Sequence, residues 1–336
     1  MRPDEILVPR PQGLYCPPGD FYIDPVVPVA RALVTHGHSD HARAGHGAVM
    51  ATRETLEIMA IRYGPDFTGA RQVAGFGREV SVNGVRITFH PAGHVLGSAQ
   101  IAVEKGGMRI VASGDYKRLA DPTAETFEPV ACDVFITEAT FGLPVFRHPR
   151  PAAEIARLLS SVREFPDRTH LIGVYALGKA QRVIRLLRDH GWDRPIYIHG
   201  SLATLCDYYI SRGIELGELF PATVAAGAKS SYAGEIVLGP PSAFNSPWVR
   251  RFGDPLVAFA SGWMQIRQRM KQRGVELPLV ISDHSDWDEL TETIRDTGAG
   301  EVWVTHGREE ALVHWCELNQ RRGRPLNLVG YEDEVE

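Results

Sequence analysis

The chain of 336 residues is long enough for one large domain or two ordinary ones, each with a sizeable core. Its 44% hydrophobic and 23% charged residues are ordinary for a globular protein, and its net charge of −5 argues against a protein that coats nucleic acid while leaving room for an enzyme that grips a few phosphates. No apolar run reaches the ~18 residues of a membrane span, and the opening MRPDEILVPRPQGLYCPPGDFYIDP lacks an apolar signal core, so an unexported, cytoplasmic chain with no membrane partner is expected.

In chain order, β-branched runs come first: RALVTH, VRITFHPA, AQIAVEK, MRIVASGD and DVFITEAT, with turn signals VNGV and KGGM between them. They predict a stacked β architecture. A helix is expected over ATRETLEIMAIRYG, capped by Thr52 and stopped at Gly64. The Pro-rich LPVFRHPRP at 143–151 reads as a boundary. Beyond it AAEIARLLSSVREF, THLIGVYAL, GKAQRVIRLLRDHG and PIYIHG alternate helix and strand, the grammar of a second unit with a parallel sheet, ending near Gly274. PLVISDHSD and EVWVTHG then return to strands that finish on histidines, followed by the helix EEALVHWCELNQRRG and an acidic end, YEDEVE, expected to fray. The expected organisation is therefore a discontinuous domain, 1–145 and 275–336, interrupted by an insertion at 146–274.

The chemistry concentrates where the first apolar run ends, in VTHGHSDHARAGH. His36 and His38, two apart on an extended segment, can face one cation, while Asp40 and His41 bend towards a second. Four cysteines (Cys16, Cys132, Cys206 and Cys316) are too scattered for a CxxC motif; they are expected to be free thiols, so any metal is held by His and Asp. One such run cannot complete two sites. His94 in HPAGHVLGS, Asp115 in VASGDYKR and His306 in VWVTHG each follow a strand and supply the missing ligands, with Asp115 as the shared carboxylate. His46, His90, His148, His170, His190, His199 and His314 lack such a setting and receive no role.

HxHxDH at 36–41, GH at 93–94 and GD at 114–115 resemble the metallo-β-lactamase superfamily, whose fold is an αββα sandwich. Asp24 in FYIDP matches the early aspartate that supports the family's metal site from outside the ligands. Glu138 in ITEATFG, His284 in SDHSD and His306 in THG resemble the acidic and histidine elements of the β-CASP branch, and the inserted α/β unit resembles its β-CASP domain. Over nearly the whole chain, phrases such as GLYCPPGDFYIDP and LVTHGHSDHA resemble the bacterial ligase-associated DNA exonucleases, related to the DNA cross-link repair nucleases.

That resemblance implies two divalent ions, zinc before manganese. One would be held by His36, His38, His94 and Asp115, the other by Asp40, His41, His306 and the bridging Asp115. An activated water would attack phosphorus, with pKa lowered to about 7. His284 is left over as general acid, steadied by Glu138. Asp283 and Asp286 are expected to cap or solvate their loop. Tyr175 and Lys179 match the YxxGK phosphate-contacting segment of the cross-link repair nucleases, although Ala180 and Gln181 replace the charged pair often found there. Gly178-Lys179 also opens a helix whose amides attract anions, and Arg182, Arg185 and Arg188 stripe that helix. Residues 250–273 carry Arg250, Arg251, Arg267, Arg269, Lys271 and Arg273 against Asp254 alone, with Trp263 available to stack on a base. No base-reading pattern accompanies these residues, so backbone binding is expected.

The reading is a two-metal DNA exonuclease acting in repair, in functional partnership with an ATP-dependent DNA ligase and a helicase. A β-CASP ribonuclease is the chemical rival, because metal, water and phosphate do not distinguish sugars. A non-catalytic scaffold for DNA ends is the rival of another class, opposed by the full complement of ligands. Thioester hydrolases and β-lactamases share HxHxDH but not the insertion or the His284/His306 pair, and a di-iron redox member would carry a carboxylate at His38.

Overall fold

The computed structural model describes residues 2–223, 232–272, 274–326 and 328. Arg273 and the acidic 331–336 end lie outside the described residues. The described chain forms two compact units, one holding the residues up to Arg147 and from His284 onward, the other His148–Asp283.

The first unit begins with a six-stranded sheet laid down in chain order: β1 (Val8–Arg10), β2 (Gly13–Cys16), β3 (Phe21–Ile23), β4 (Arg31–Leu33), β5 (His46–Ala51) and β6 (Thr68–Val73). Pairing is antiparallel through β3 and parallel from β3 to β6. Helix α1 (Arg53–Tyr63) links β5 to β6; Thr52 caps it by accepting from the Thr55 amide, and Gly64 ends it, as its sequence predicts.

A second sheet then forms by hairpins. β7 (Glu79–Val82), β8 (Val85–Pro91), β9 (Ala99–Lys105) and β10 (Met108–Ala112) run antiparallel, and β11 (Val134–Ala139) joins β10 in parallel. The VNGV turn places Asn83 and Gly84 at φ +50° and +73°, the positive values that a two-residue hairpin turn demands.

The second unit is a parallel sheet of six strands with flanking helices. It runs through α2 (Pro151–Glu164), β12 (His170–Gly173), α3 (Lys179–Asp189), β13 (Ile196–Ile198), α4 (Gly200–Ser211), β14 (Leu219–Pro221), β15 (Ile236–Gly239), β16 (Leu256–Ala260), α5 (Arg267–Gln272) and β17 (Leu277–Leu279). The strand order is β14-β13-β15-β12-β16-β17, and among the described residues all its pairings are parallel. Residues 275–283, which the sequence assigns to the first unit, lie here because Leu277–Leu279 adds an edge strand to β16.

The chain returns to the first unit with α6 (Trp287–Asp296), β18 (Glu301–Gly307), α7 (Glu309–Leu318) and β19 (Arg322–Pro325). β18 pairs with β11 and β19 with β18, completing a seven-stranded sheet. One apolar core draws Leu14, Phe21 and Leu33 from the first sheet and Ile87, Ile101 and Trp303 from the second, so these two sheets bury a shared face. The opposite face of the second sheet packs on Leu290 and Ile294 of α6 and Leu312 of α7, while Leu56 and Met59 of α1 cover the first sheet. All four cysteines are free thiols. Among the described residues no helix is long and apolar enough to cross a membrane.

Candidate metal centre

Strand ends of the first unit deliver the cluster. β4 stops at Leu33, earlier than RALVTH suggests, so His36 and His38 occupy a loop rather than an extended strand. That loop turns back on itself: the His41 and Ala42 amides both donate to the His38 carbonyl, at 3.2 and 2.8 Å. His94 and Asp115 follow β8 and β10, and each is preceded by a glycine with positive φ, +74° at Gly93 and +56° at Gly114. A side chain at either glycine is excluded, since a Cβ would lie 2.2 Å from the Lys117 carbonyl oxygen at 93 and 2.7 Å from the Thr35 Cβ at 114.

His306 arrives differently. The β11–β18 register pairs Glu138 with Thr305 and Ala139 with Gly307, leaving His306 as the extra residue of a bulge at φ +55°. A bulge re-aims a side chain that regular alternation would send elsewhere. THG gave no sign of this by pattern alone.

Asp115, 5% exposed, is the hub. Its Oδ2 lies 3.5 Å from His36 Nε2, 3.4 Å from His41 Nε2, 3.8 Å from His94 Nε2 and 4.0 Å from His284 Nδ1, and its Oδ1 lies 3.7 Å from His306 Nδ1. His38 Nδ1 stands 3.2 Å from His36 Nε2 and 2.9 Å from His94 Nε2. Ligand atoms of His36, His38, His94 and Asp115 all fall within 4.8 Å of one another, as do those of His41, Asp115 and His306. Half-buried Asp40 stands beside the second group, with Oδ2 3.6 Å from His41 Nε2. Ring nitrogens this crowded repel unless a cation lies among them. Imidazole and carboxylate in such numbers suit a borderline divalent ion, and two groups sharing one carboxylate suggest a binuclear site.

Burial sets the electrostatics. Desolvation, with His41 nearby, drops His36 well below the usual imidazole range and His306 to about 4, leaving both neutral at pH 7. Burial also opposes charge on His41, but Asp115, Asp40 and Asp24 outweigh it and raise its pKa. Burial opposes ionisation of Asp115 too, yet His41 and its neighbours hold the carboxyl well below its ordinary value.

Asp24 orients the cluster from behind. Its carboxylate accepts from the Thr35 amide at 2.8 Å and hydroxyl at 2.6 Å, and stands 2.8 Å from His41 Nδ1, so His41 turns Nε2 toward Asp115. Glu138, 1% exposed, takes the Tyr116 amide at 2.7 Å, the Thr140 hydroxyl at 2.6 Å and His284 Nδ1 at 2.9 Å. Burial raises its pKa although His284 opposes the rise.

The expected substrate residues are not gathered in this way. Tyr175 is half-buried. Lys179, 2% exposed, gives its ammonium to Asp283 Oδ1 at 2.5 Å and the Ile281 carbonyl at 2.9 Å. Arg182, 3% exposed, donates to the Ser282 carbonyl at 2.8 Å. Arg185 pairs with Asp189, and Arg188 donates to the carbonyls of Trp192, Leu216 and Glu218. Trp263 is half-buried under the Arg269 guanidinium, 4.1 Å from the ring centroid, while Arg267 and Lys271 are exposed. Asp286 caps α6, but Asp283 is buried against Lys179 rather than solvating its loop. Sequence reasoning missed the structural parts of Thr35, Ser98 and Thr140, which carry no pattern apart from the ligands they touch.

A mixed α/β chain with buried histidine–aspartate groups on its strand-end loops defines a metal-binding protein of the hydrolase type. The pattern of these groups is similar to that of the metallo-β-lactamase/β-CASP superfamily. The chain is 26% identical over 328 residues, 96% of its length, to a probable DNA ligase of Opitutus terrae. It is 39% identical over 141 residues, 38% of its length, to cleavage and polyadenylation specificity factor subunit 3 of Dictyostelium discoideum, and 35% identical over 175 residues, 46% of its length, to endoribonuclease ysh1 of Aspergillus fumigatus. The chain spans 31% of the ligase and 18% and 20% of the two RNA-processing proteins. No family model matches. Among solved structures, a protein of unknown function from Enterococcus faecalis V583 shares the fold at TM-score 0.56 and 13% identity, over 90% of this chain and 80% of that one.

Proposed function

We propose that this chain is a metal-dependent nuclease that hydrolyses nucleic-acid phosphodiesters. The observation that carries the reading is the set of five imidazoles within 4.0 Å of the single carboxylate of Asp115. His36, His38, His94 and Asp115 would hold one ion, and Asp40, His41, His306 and Asp115 the other. Zinc suits this donor set first and manganese second. When bound, the ions supply Lewis acidity towards phosphate oxygens and a water acidic enough to ionise near neutral pH. Asp24 fixes the tautomer of His41. Glu138 holds Nδ1 of His284, and His284 gives a proton to the departing sugar oxygen from its other ring nitrogen. The first unit is then an αββα sandwich and the parallel-sheet unit an inserted β-CASP domain.

Of the two polymers, RNA is favoured by the relatives whose names state a cleavage activity, since those are endoribonucleases or cleavage factors. DNA is supported by one specific observation: a match running through 96% of the chain is to a probable DNA ligase. On that second reading the chain is a cytoplasmic repair exonuclease working with an ATP-dependent ligase and a helicase. Exposed Arg267 and Lys271, with Trp263 and Tyr175, are proposed contacts to the polymer backbone; Lys179 and Arg182 are buried and receive another assignment below.

The test is direct. Metal-assayed protein is incubated with end-labelled single-stranded DNA and matched RNA, each bearing 5′-phosphate or 5′-hydroxyl, beside Asp115→Asn and His284→Ala proteins. RNA cleavage lost in both variants supports the ribonuclease reading, and stepwise DNA shortening lost in both supports the exonuclease. Intact polymers with two ions bound overturn the nuclease assignment for these substrates.

A further inference from the structure

We infer that Lys179 and Arg182 are positioning residues that clamp the segment ahead of His284, rather than grips for substrate phosphate; the inference rests on the catalytic role proposed for His284. β17 ends at Leu279, and residues 280–286 belong to no helix or strand. A segment without regular pairing must satisfy its backbone elsewhere. Within the second unit three side chains do this: Glu154 accepts from the Val280 amide at 2.8 Å, Lys179 donates to the Ile281 carbonyl, and Arg182 donates to the Ser282 carbonyl. Lys179 also takes the carboxylate of Asp283, whose own exposure is 4%. Asp283 is joined directly to His284, whose imidazole is set on Glu138 in the first unit.

The burial is the telling feature. A lysine that grips a terminal phosphate needs an ammonium open to it, whereas this one is among the largest fully buried side chains of the protein. Burying an ammonium and a guanidinium is costly unless each is fully paired, and such groups are kept where they specify one conformation. Here the conformation specified is the path of residues 281–283, and hence the point from which His284 starts. Lys179 and Arg182 are three positions apart, so one face of α3 carries both donors.

The experiment uses the full chain loaded with zinc and compares wild type with Lys179→Met, Lys179→Arg and Arg182→Met. On oligonucleotides with 5′-phosphate or 5′-hydroxyl ends, Lys179→Met is expected to lower kcat by roughly 10- to 100-fold, the scale of a misplaced catalytic group. KM, zinc content and the preference between the two ends stay at wild-type values, and Lys179→Arg recovers part of the loss. Peptide-level hydrogen exchange supplies a readout that needs no turnover. Residues 281–285 are expected to exchange about tenfold faster in Lys179→Met and Arg182→Met, while β12 and β15 keep wild-type protection. A rise in KM confined to 5′-phosphorylated substrate, with kcat and exchange unchanged, overturns the clamp and returns Lys179 to phosphate binding. If wild-type protein cleaves neither polymer, the nuclease reading fails by itself. Exchange then still decides the clamp, and unchanged protection of 281–285 overturns it.

Discussion

Asp115 offers one carboxylate to five imidazoles, so neutralising it should cost more than any single histidine change. Asp115→Asn is expected to bind fewer than two ions per chain and to lose at least ~10³-fold in hydrolysis, checked by metal analysis and single-turnover rates. Asp24 never enters the cluster, yet it holds the Nδ1 of His41 at 2.8 Å. Asp24→Ala should weaken metal binding by about 10- to 100-fold, measured by competition with a chromogenic chelator. Wild-type affinity in that variant would remove Asp24 from the centre. Asp115 was legible early because HxHxDH, GH and GD are dense in residues of one chemistry, whereas Asp24 was named only through the family resemblance of FYIDP. Thr35, which ties Asp24 to the loop with two hydrogen bonds, was not, since a threonine beside a histidine is unremarkable in sequence.

At the scale of elements, two local devices aim ligands. The loop after β8 is closed by Ser98, whose Oγ accepts from the buried amides of His94 and Val95 at 3.0 and 3.2 Å. Ser98→Ala strands those donors and should destabilise the protein by about 1–3 kcal/mol in urea unfolding. The bulge at His306 depends on Gly307, where a Cβ would sit 2.2 Å from the Ala139 carbonyl oxygen. Gly307→Ala is therefore expected to straighten or displace the bulge, lowering occupancy of the ion that His306 would help hold while the other site still fills; equal loss from both would show that the bulge is not specific to one. Helix α1 and the later strands of the first unit were readable from alternation and caps. The short β1–β3, strands β5–β7 and helices α4 and α6 were not singled out. Strands of three or four residues are too brief for periodicity to show, and α4 opens on His199, a weak cap signal; the Asp286–Glu289 capping box that opens α6 is a pattern the sequence does carry.

For the whole molecule, the crowding around Asp115 links metal to stability. A ligand at 100-fold excess over its Kd stabilises the folded state by about 2.7 kcal/mol, so stripping the ions should lower Tm by roughly 5–10 °C, followed by calorimetry with and without chelator. Acidification acts even without metal. Burial depresses the pKa of His170, which stands 2.9 Å from the Ser161 hydroxyl, below its unfolded value of about 6.5. Below that value the unfolded chain binds more protons than the folded one, so the contribution of His170 is present above pH 6.5 and is lost as pH falls. Metal-free wild type should therefore lose more stability between pH 7 and pH 5 than His170→Asn, and parallel profiles would show that His170 does not contribute.

The sequence by itself determined the candidate ligands and the two-part organisation with a parallel-sheet insertion, because close spacing of His and Asp and the alternation of helix and strand are properties of neighbouring residues; the chemical class came from family resemblance. Only the tertiary structure decided that Asp115 stands at the meeting point of loops from 36, 94, 284 and 306, that a bulge turns His306 toward it, and that Lys179 and Arg182 are buried against residues about a hundred positions away. A motif records which donors a segment owns. Whether a lysine faces solvent or a buried carboxylate is set by sheet register and side-chain packing between distant segments, and no local pattern carries that information.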